Sequence, residues 1–241
     1  MLFLLEAKKI KHTGYLAAFL LSGIISCIFP IIHMLVRAET FTSLPGNPYV
    51  ILINANWKMM TMFNILIVIC GACIMYHTEY ANSGMLKMVS LPVNSIHLFF
   101  SKFLITALLL AGIIFSQITV LVGCALHWFS NASFDFISIL KNTGFQWLIF
   151  LPTTMLMLFL SSVCKNMWIS LGIGIIMVFT VSIFPQDNFA VSLFPFCSPY
   201  QTLAVVDENS HTQFFCMSCI IQTILFYLAE VLYLKTRRSF T

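Results

Sequence analysis

Residues Glu79–Lys102 read EYANSGMLKMVSLPVNSIHLFFSK, and they decide how the rest of the chain is organised. This is a polar island holding Glu79, Lys87, His97 and Lys102. Long runs almost free of charge flank it, Met59–Tyr76 before and Phe103–Trp128 after. About 20 apolar residues suffice for a helix to cross a hydrocarbon core of about 30 Å. The island is therefore a loop between two membrane spans.

The same pattern continues outward. The chain has 241 residues, of which 60% are hydrophobic and 8% charged. A soluble domain carries about 25% charged residues, so lipid is the main solvent here. The 24 Phe suit lipid-facing surfaces, and the net charge of +4 is scattered along membrane borders, so it is no nucleic-acid signal. Six spans are expected: Tyr15–Val36, Met59–Tyr76, Phe103–Trp128, Phe145–Val163, Met167–Phe184 and Phe214–Leu234. The runs are continuously apolar, without the alternation of a membrane barrel. Backbone groups in lipid must be satisfied within each segment, which makes every span a helix. The expected fold is all-α, a single six-span integral membrane domain over residues 1–241.

Lys and Arg set the orientation. With the N-terminus inside, the inner side carries Lys8, Lys9, Lys11, Lys87, Lys102, Lys165, Lys235, Arg237 and Arg238. The outer side carries Arg37, Lys58 and Lys141, with Glu39, Asp135, Asp187, Asp207 and Glu208. Both termini are expected in the cytoplasm. The island, counted as the loop 77–102, then also faces the cytoplasm.

The start of the chain imitates a secretory signal: Lys8, Lys9 and Lys11 precede an apolar run, and Ile24-Ile25-Ser26-Cys27 resembles a lipoprotein cleavage site. The run continues to Val36, longer than a signal core, which favours a retained first span. Residues 1–14 are read as an interfacial helix, with Leu2, Leu5, Lys9 and His12 at helical spacing and Glu6, Lys8, Lys9 and Lys11 among lipid headgroups. Gly14, Ala18, Ser22 and Ser26 recur every fourth residue, and Ser170 and Gly174 repeat the pattern in the fifth span. Such small-residue faces allow close helix packing in lipid, within one subunit or between two. Pro30 is expected to kink the first span.

Two outer loops are long. Arg37–Asn56 contains the turn cluster Pro45-Gly46-Asn47-Pro48. The loop 185–213 contains the apolar stretch Phe189–Phe196. Two readings of it stand, a re-entrant segment or a loop packed on the helix ends, and re-entrant backbone needs protein or water to cover it.

Catalytic patterns are absent. There is no GxxxxGK[ST] loop, HExxH or GxSxG, so no catalytic or metal residues are assigned and ATP is not bound in the P-loop manner. Cys70/Cys73 and Cys216/Cys219 have CxxC spacing inside apolar runs and are read as small apolar residues. Asn131-Ala132-Ser133 fits a glycosylation sequon that matters only in a eukaryotic secretory pathway. Glu230 is the one clear ionisable residue within a span, read as an anchor that reaches the inner interface or pairs with a basic neighbour. Trp57, Trp128, Trp147 and Trp168 fall at span borders and suit an aromatic belt.

Within the island, Asn82-Ser83-Gly84 is a turn or helix-start signal before a short helix, Met85–Leu91, which Pro92 ends. Its apolar residues suit insertion into a partner's groove, or a helix lying flat on the bilayer. The series Glu79, Asn82-Ser83-Gly84, Leu86-Lys87, Leu91-Pro92 and Ser101-Lys102 resembles the first cytoplasmic loop of type-2 ABC transporter membrane subunits. Glu6-Ala7-Lys8-Lys9-Ile10-Lys11 and Phe194-Pro195-Phe196-Cys197-Ser198-Pro199-Tyr200 are similar to other segments of that family. Size and span number resemble its lantibiotic-immunity and bacitracin-resistance branch, although Ser83-Gly84-Met85 departs from the Gly-Thr of many relatives.

The resemblance implies a permease in a bacterial plasma membrane, without an ATPase site of its own. Glu79, Gly84, Met85, Leu86, Lys87, Leu91 and Pro92 would dock a separate cytoplasmic ATPase that holds ATP and Mg. A second six-span permease would complete the membrane part, a different chain in the favoured reading and a copy of this one in the alternative. The cargo of that branch is a cationic antimicrobial peptide, expelled for self-immunity. The alternatives are export of another amphipathic cargo (drug, lipid or toxin peptide), or a six-span scaffold or intramembrane enzyme without an ATPase.

Overall fold

The computed structural model describes residues 2–11, 13–80, 95–129, 136–164, 166–183, 189–203, 206 and 212–239. Its helices are α1 (Leu2–Ile10), α2 (Tyr15–Thr42), α3 (Pro48–Tyr80), α4 (Ser95–Trp128), α5 (Phe136–Val163), α6 (Met167–Ile183), a single turn α7 (Phe189–Ser192) and α8 (Thr212–Ser239), with a 3₁₀ turn at Ser198–Tyr200. No strand occurs among the described residues. Five helices, α2, α3, α4, α5 and α8, are long and apolar enough to cross a membrane, and α6 is a shorter apolar one. The chain is an all-α membrane protein. The residues 81–94, with the expected short helix and its Gly84, Met85, Leu86, Lys87, Leu91 and Pro92, lie outside the described residues, as does the sequon Asn131.

The helices overrun the apolar runs. Hydropathy marks only the part of a helix that meets lipid, whereas backbone hydrogen bonding continues through polar residues. Thus Asn54, Asn56 and Lys58 belong to α3. The expected loop Arg37–Asn56 shrinks to a turn at residues 43–47, where Gly46 takes φ 132°. The dihedral break inside α2 falls at Arg37 (φ −131°, ψ 31°), two turns beyond Pro30.

The core helix is α3: in its most apolar window 67% of residues are buried, against 28% in α2 and 17% in α8. The outward faces of α2 (Leu20, Ile24, Ile28) and α8 (Met217, Ile221, Leu225) are exposed and apolar, as a lipid-covered surface requires.

Polar pins hold α2, α3 and α4 in one register. Between antiparallel α3 and α4, the pairs Glu79/Lys102, Met75/Thr106 and Asn64/Gln117 all touch, and in each the residue numbers total 181. Between parallel α2 and α4, Tyr15 bonds Thr106 at 2.9 Å and Gln117 bonds Ser26 at 2.7 Å, both 91 residues apart. The two levels are eleven residues apart on every helix, three turns, so they lie on one face about 16 Å from each other. At the upper level, Asn64 and Gln117 exchange amide bonds of 3.0 and 2.8 Å. In an apolar interior a slipped register would leave these amides unpaired, so they favour a single alignment.

Small residues close the gaps. A Cβ on Gly71 would sit 2.7 Å from the Phe19 ring and 2.8 Å from that of Tyr15. The buried face of α2 is Tyr15, Phe19, Gly23, Ser26, Pro30 and Met34. Ser26 lies on that face, while Ala18 and Ser22 flank it half-buried. A strict four-residue stripe drifts about 40° per step around a helix of 3.6 residues per turn, so it leaves the face it started on. Gly14 serves a turn instead: its φ of 74° separates α1 from α2, and no atom lies within 4 Å of where its Cβ would be. Ser170 meets Cys73 Sγ at 3.1 Å, and a Cβ on Gly174 would sit 2.7 Å from Ile69. These contacts of Ser26, Ser170 and Gly174 are all made within one chain.

The described part of the loop 185–213 does not rest on the helix ends. Trp57 Nε1 and Thr61 Oγ1 donate to the Pro199 carbonyl at 2.9 and 3.2 Å. Thr153 donates to the Pro195 carbonyl, Ser198 to the Ile149 carbonyl at 3.1 Å, and Gln222 Nε2 to the Leu193 carbonyl at 2.8 Å. Those partners sit about 13 to 25 Å along their helices from the ends at Pro48, Phe136 and Thr212, at 1.5 Å per residue. Residues 193–201 thus enter the bundle, covered by protein as such backbone must be. Trp57, expected in an interfacial belt, is fully buried because its indole N–H serves this segment.

Candidate functional site

The island's two charged ends meet. Glu79 ends α3 and Lys102 lies near the start of α4, and their side chains are 2.5 Å apart. Helix α1 lies across this junction. Lys102 Nζ donates to Glu6 Oε2 at 3.1 Å, Lys9 Nζ donates to Glu79 Oε1 at 2.6 Å, and Lys9 stands 3.8 Å from Glu6. Two lysines and two glutamates therefore alternate around one neutral cluster. Lys102 is 1% exposed, Glu6 4% and Glu79 5%. Only Lys9 reaches solvent, with its side chain 32% exposed.

Physical necessity links these residues. A lysine with no exposed surface loses its hydration, and only close carboxylates compensate. Removing one member of such a set typically costs about 3–5 kcal/mol, because the others stay charged and buried. The Lys102 ammonium also lies 5.7 Å from the centre of the Tyr76 ring, a further favourable contact for a desolvated cation.

Local sequence positions each group. In α1, Glu6 and Ile10 are one turn apart and both buried, while Lys8 between them is exposed. Thr13 N–H closes on the Ile10 carbonyl at 3.1 Å, and Gly14 then turns the chain into α2. The expected headgroup exposure of Glu6 is corrected here, whereas Lys9 keeps part of its side chain exposed while its charge meets Glu79. Their charges turn inward because Lys102 and Glu79 are there to pair with them.

The same end carries a second joint. The Tyr80 hydroxyl donates to the Ser162 carbonyl, and the Ser162 hydroxyl donates to Glu230 Oε2 at 2.6 Å. Glu230 is 1% exposed. It was expected to reach the inner interface or to pair with a basic neighbour; the described contact is with α5, where a hydroxyl donates to it. Through Tyr80 the end of α3 is tied to α5 and α8 as well as to α1 and α4.

Of the residues expected to contact an ATPase, Glu79 is described, and it belongs to the base of the loop. Sequence reading missed that Glu6 and Lys9 complete its surroundings. The available signal was one acid among five basic or apolar neighbours in Glu6–Lys11, facing a lysine that opens an apolar span. The amides Asn64 and Gln117 were missed too, although a lone carboxamide inside an apolar run is a signal in itself.

These features define a multi-pass, all-helical membrane protein whose buried charges gather at the base of one interhelical loop. The protein-family model described as ABC-2 family transporter protein matches residues 2–181. The chain belongs to that family and is a transporter membrane subunit. The match covers α1 through most of α6, the charge cluster included, and ends before the inserted segment. No curated protein and no solved structure matches the chain.

Proposed function

We propose that this protein is the permease subunit of an ATP-driven exporter in a bacterial plasma membrane, with both termini in the cytoplasm. The observation that carries the reading is the charge cluster of Glu6, Lys9, Glu79 and Lys102 at the base of the loop 81–94. A loop that receives force from a partner needs a base that does not yield. Here α3 and α4 are pinned to each other and clamped to α1, so displacement at the loop passes to both helices as one body. Gly84, Met85, Leu86, Lys87, Leu91 and Pro92 dock a separate ABC ATPase, which binds ATP and Mg and closes on nucleotide. A second six-span permease, a different chain in preference to a copy, packs on the exposed apolar surface. Belonging to a transporter family favours this over a scaffold or an intramembrane enzyme.

The cargo is an amphipathic molecule, with a lantibiotic-type antimicrobial peptide as the first candidate. The acidic residues Glu39, Asp187, Asp207 and Glu208, assigned to the outer side by the distribution of Lys and Arg along the sequence, suit a cationic peptide. Another drug, lipid or toxin peptide is the second candidate, and peptide sensitivity of cells lacking the protein separates the two.

The test is affinity purification from native membranes in mild detergent, with mass spectrometry of co-purifying chains. The expected result is a stoichiometric P-loop ATPase that is lost in Leu86→Asp, while membrane insertion is retained. Absence of any ATPase across several gentle conditions would refute the reading.

A further inference from the structure

A few buried polar atoms have no hydrogen-bond partner. They are the Tyr49 hydroxyl, both ends of the Gln146 carboxamide, the Tyr200 hydroxyl and Gln222 Oε1. None belongs to the charge cluster. All four side chains stand on or near the inserted segment, Gln222 through the bond its nitrogen donates to the Leu193 carbonyl and the other three by helix geometry and chain position. Gln146 shares a face of α5 with Ile149, Phe150 and Thr153, at spacings of three, four and seven residues. Ile149 and Thr153 bond Ser198 and Pro195, and the Phe150 ring lies 6.4 Å from that of Trp57. Tyr49 lies on α3 about two turns before Trp57 and five residues before Asn54, to which Thr202 donates at 3.2 Å, and Tyr200 follows Pro199, the acceptor of the Trp57 and Thr61 bonds. All three lie along or just beyond the line where residues 193–201 meet α3 and α5.

Gln146 has no exposed surface, so no space of water size borders it. A buried carboxamide without protein or water partners carries its full desolvation cost. That cost disappears in any conformation that admits hydrogen-bonding groups. Meanwhile the contact is held by side-chain bonds to carbonyls that water replaces with little net loss.

We propose that this line of contact is a seam that parts during the transport cycle, with Gln146, Tyr49 and Tyr200 lining the passage it uncovers. The passage opens on the side opposite the loop 81–94. Its lining is a carboxamide and two phenols beside the Trp57 and Phe150 rings. It takes uncharged hydrogen-bonding groups, such as the amides of a peptide cargo, with water filling it between cargoes. This rests on the transporter reading above, and the tests separate the two.

The first test needs no transport. Tyr200→Phe and Tyr49→Phe delete an unpaired hydroxyl without changing packing, and Gln146→Leu removes the unpaired amide. The thermal midpoint of the purified full-length protein in detergent should rise by a few degrees in Gln146→Leu and should not fall in either Phe variant. A fall in Tyr200→Phe together with Gln146→Leu shows that these groups have partners and overturns the seam. The second test places one cysteine, Gln146→Cys, in a chain whose eight native cysteines are replaced by serine or alanine. A membrane-impermeant maleimide added from the outer side should label it several-fold faster when ATP turns over than without ATP. Equal or absent labelling in both conditions, with an ATPase co-purifying, overturns the seam and leaves the transporter reading intact. No co-purifying ATPase removes that reading, and the proposed cycle with it.

Discussion

The two ends of this bundle treat buried polar groups in opposite ways. At the α1 end, two lysines and two glutamates sit in contact, and three of the four are within 5% of full burial. At the other end, three neutral side chains are buried around the inserted segment with nothing to bond. Charge is far the costlier to bury, yet charge is where every partner is present. The clamp end is built to stay as it is, whereas the seam end keeps an unmet demand that another arrangement would satisfy. Under the proposed function, this would separate a part that transmits force from a part that yields.

The largest effect should come from breaking the clamp. Lys102→Met leaves Glu6 and Glu79 buried with only half-exposed Lys9, and should cost about 3–5 kcal/mol. Thermal unfolding in detergent and the yield of folded protein measure this loss. Reversing all four charges, Glu6→Lys, Lys9→Glu, Glu79→Lys and Lys102→Glu, keeps opposite charges at every contact and should recover part of it, whereas exchanging only Glu79 and Lys102 sets like charges against Lys9 and Glu6 and should not. No recovery in the fourfold reversal would mean that the cluster depends on the particular geometry of α1.

Next comes the amide level above the clamp. Asn64→Leu or Gln117→Leu alone strands its partner and should cost about 1–3 kcal/mol. Asn64→Leu/Gln117→Leu together should cost clearly less than the two single losses added. Strict additivity in that double-mutant cycle would deny the exchange of bonds between them. Packing is tested by Gly71→Leu, which drives a side chain into the Phe19 and Tyr15 rings. A destabilisation of about 1–3 kcal/mol is expected for such overpacking.

At the seam the effects should be smaller. Trp57→Phe removes one of two donors to the Pro199 carbonyl while keeping an aromatic ring, and should cost about 1 kcal/mol. A loss as large as that of Lys102→Met would erase the contrast between the two ends. Lys8→Gln should change stability by less than about 0.5 kcal/mol, because Lys8 is exposed between the buried Glu6 and Ile10.

Much of the fold was legible because lipid leaves the backbone few choices. Continuous apolar runs of span length must be helices, and the runs around Leu110, Leu158 and Ile224 all are. The α1 segment was legible from its basic, amphipathic pattern. Helix ends were not, since Asn54 and Ser95 continue helices through polar sequence where hydropathy sees a loop. The inserted segment was half legible. Phe189–Phe196 is too apolar for an exposed loop, but depth is set by whether donors such as Trp57 and Thr153 lie opposite the proline carbonyls.

The candidate site divides along the same line. The sequence by itself determined a helical membrane protein with one polar loop, the charged residues at that loop's two ends, and a likeness to transporter permeases. Only the tertiary structure decided that Glu6 and Lys9, some 70 and more residues away in the chain, close a neutral cluster with Glu79 and Lys102. It alone decided that Glu230 faces Ser162, that Asn64 and Gln117 share one level, and that Gln146 has no partner. The physical reason is one of range. Helix formation in lipid is a local matter of apolar length and backbone satisfaction, readable along the chain. The fate of a buried polar group depends on what another helix places within about 3 Å of it, and that is a property of packing.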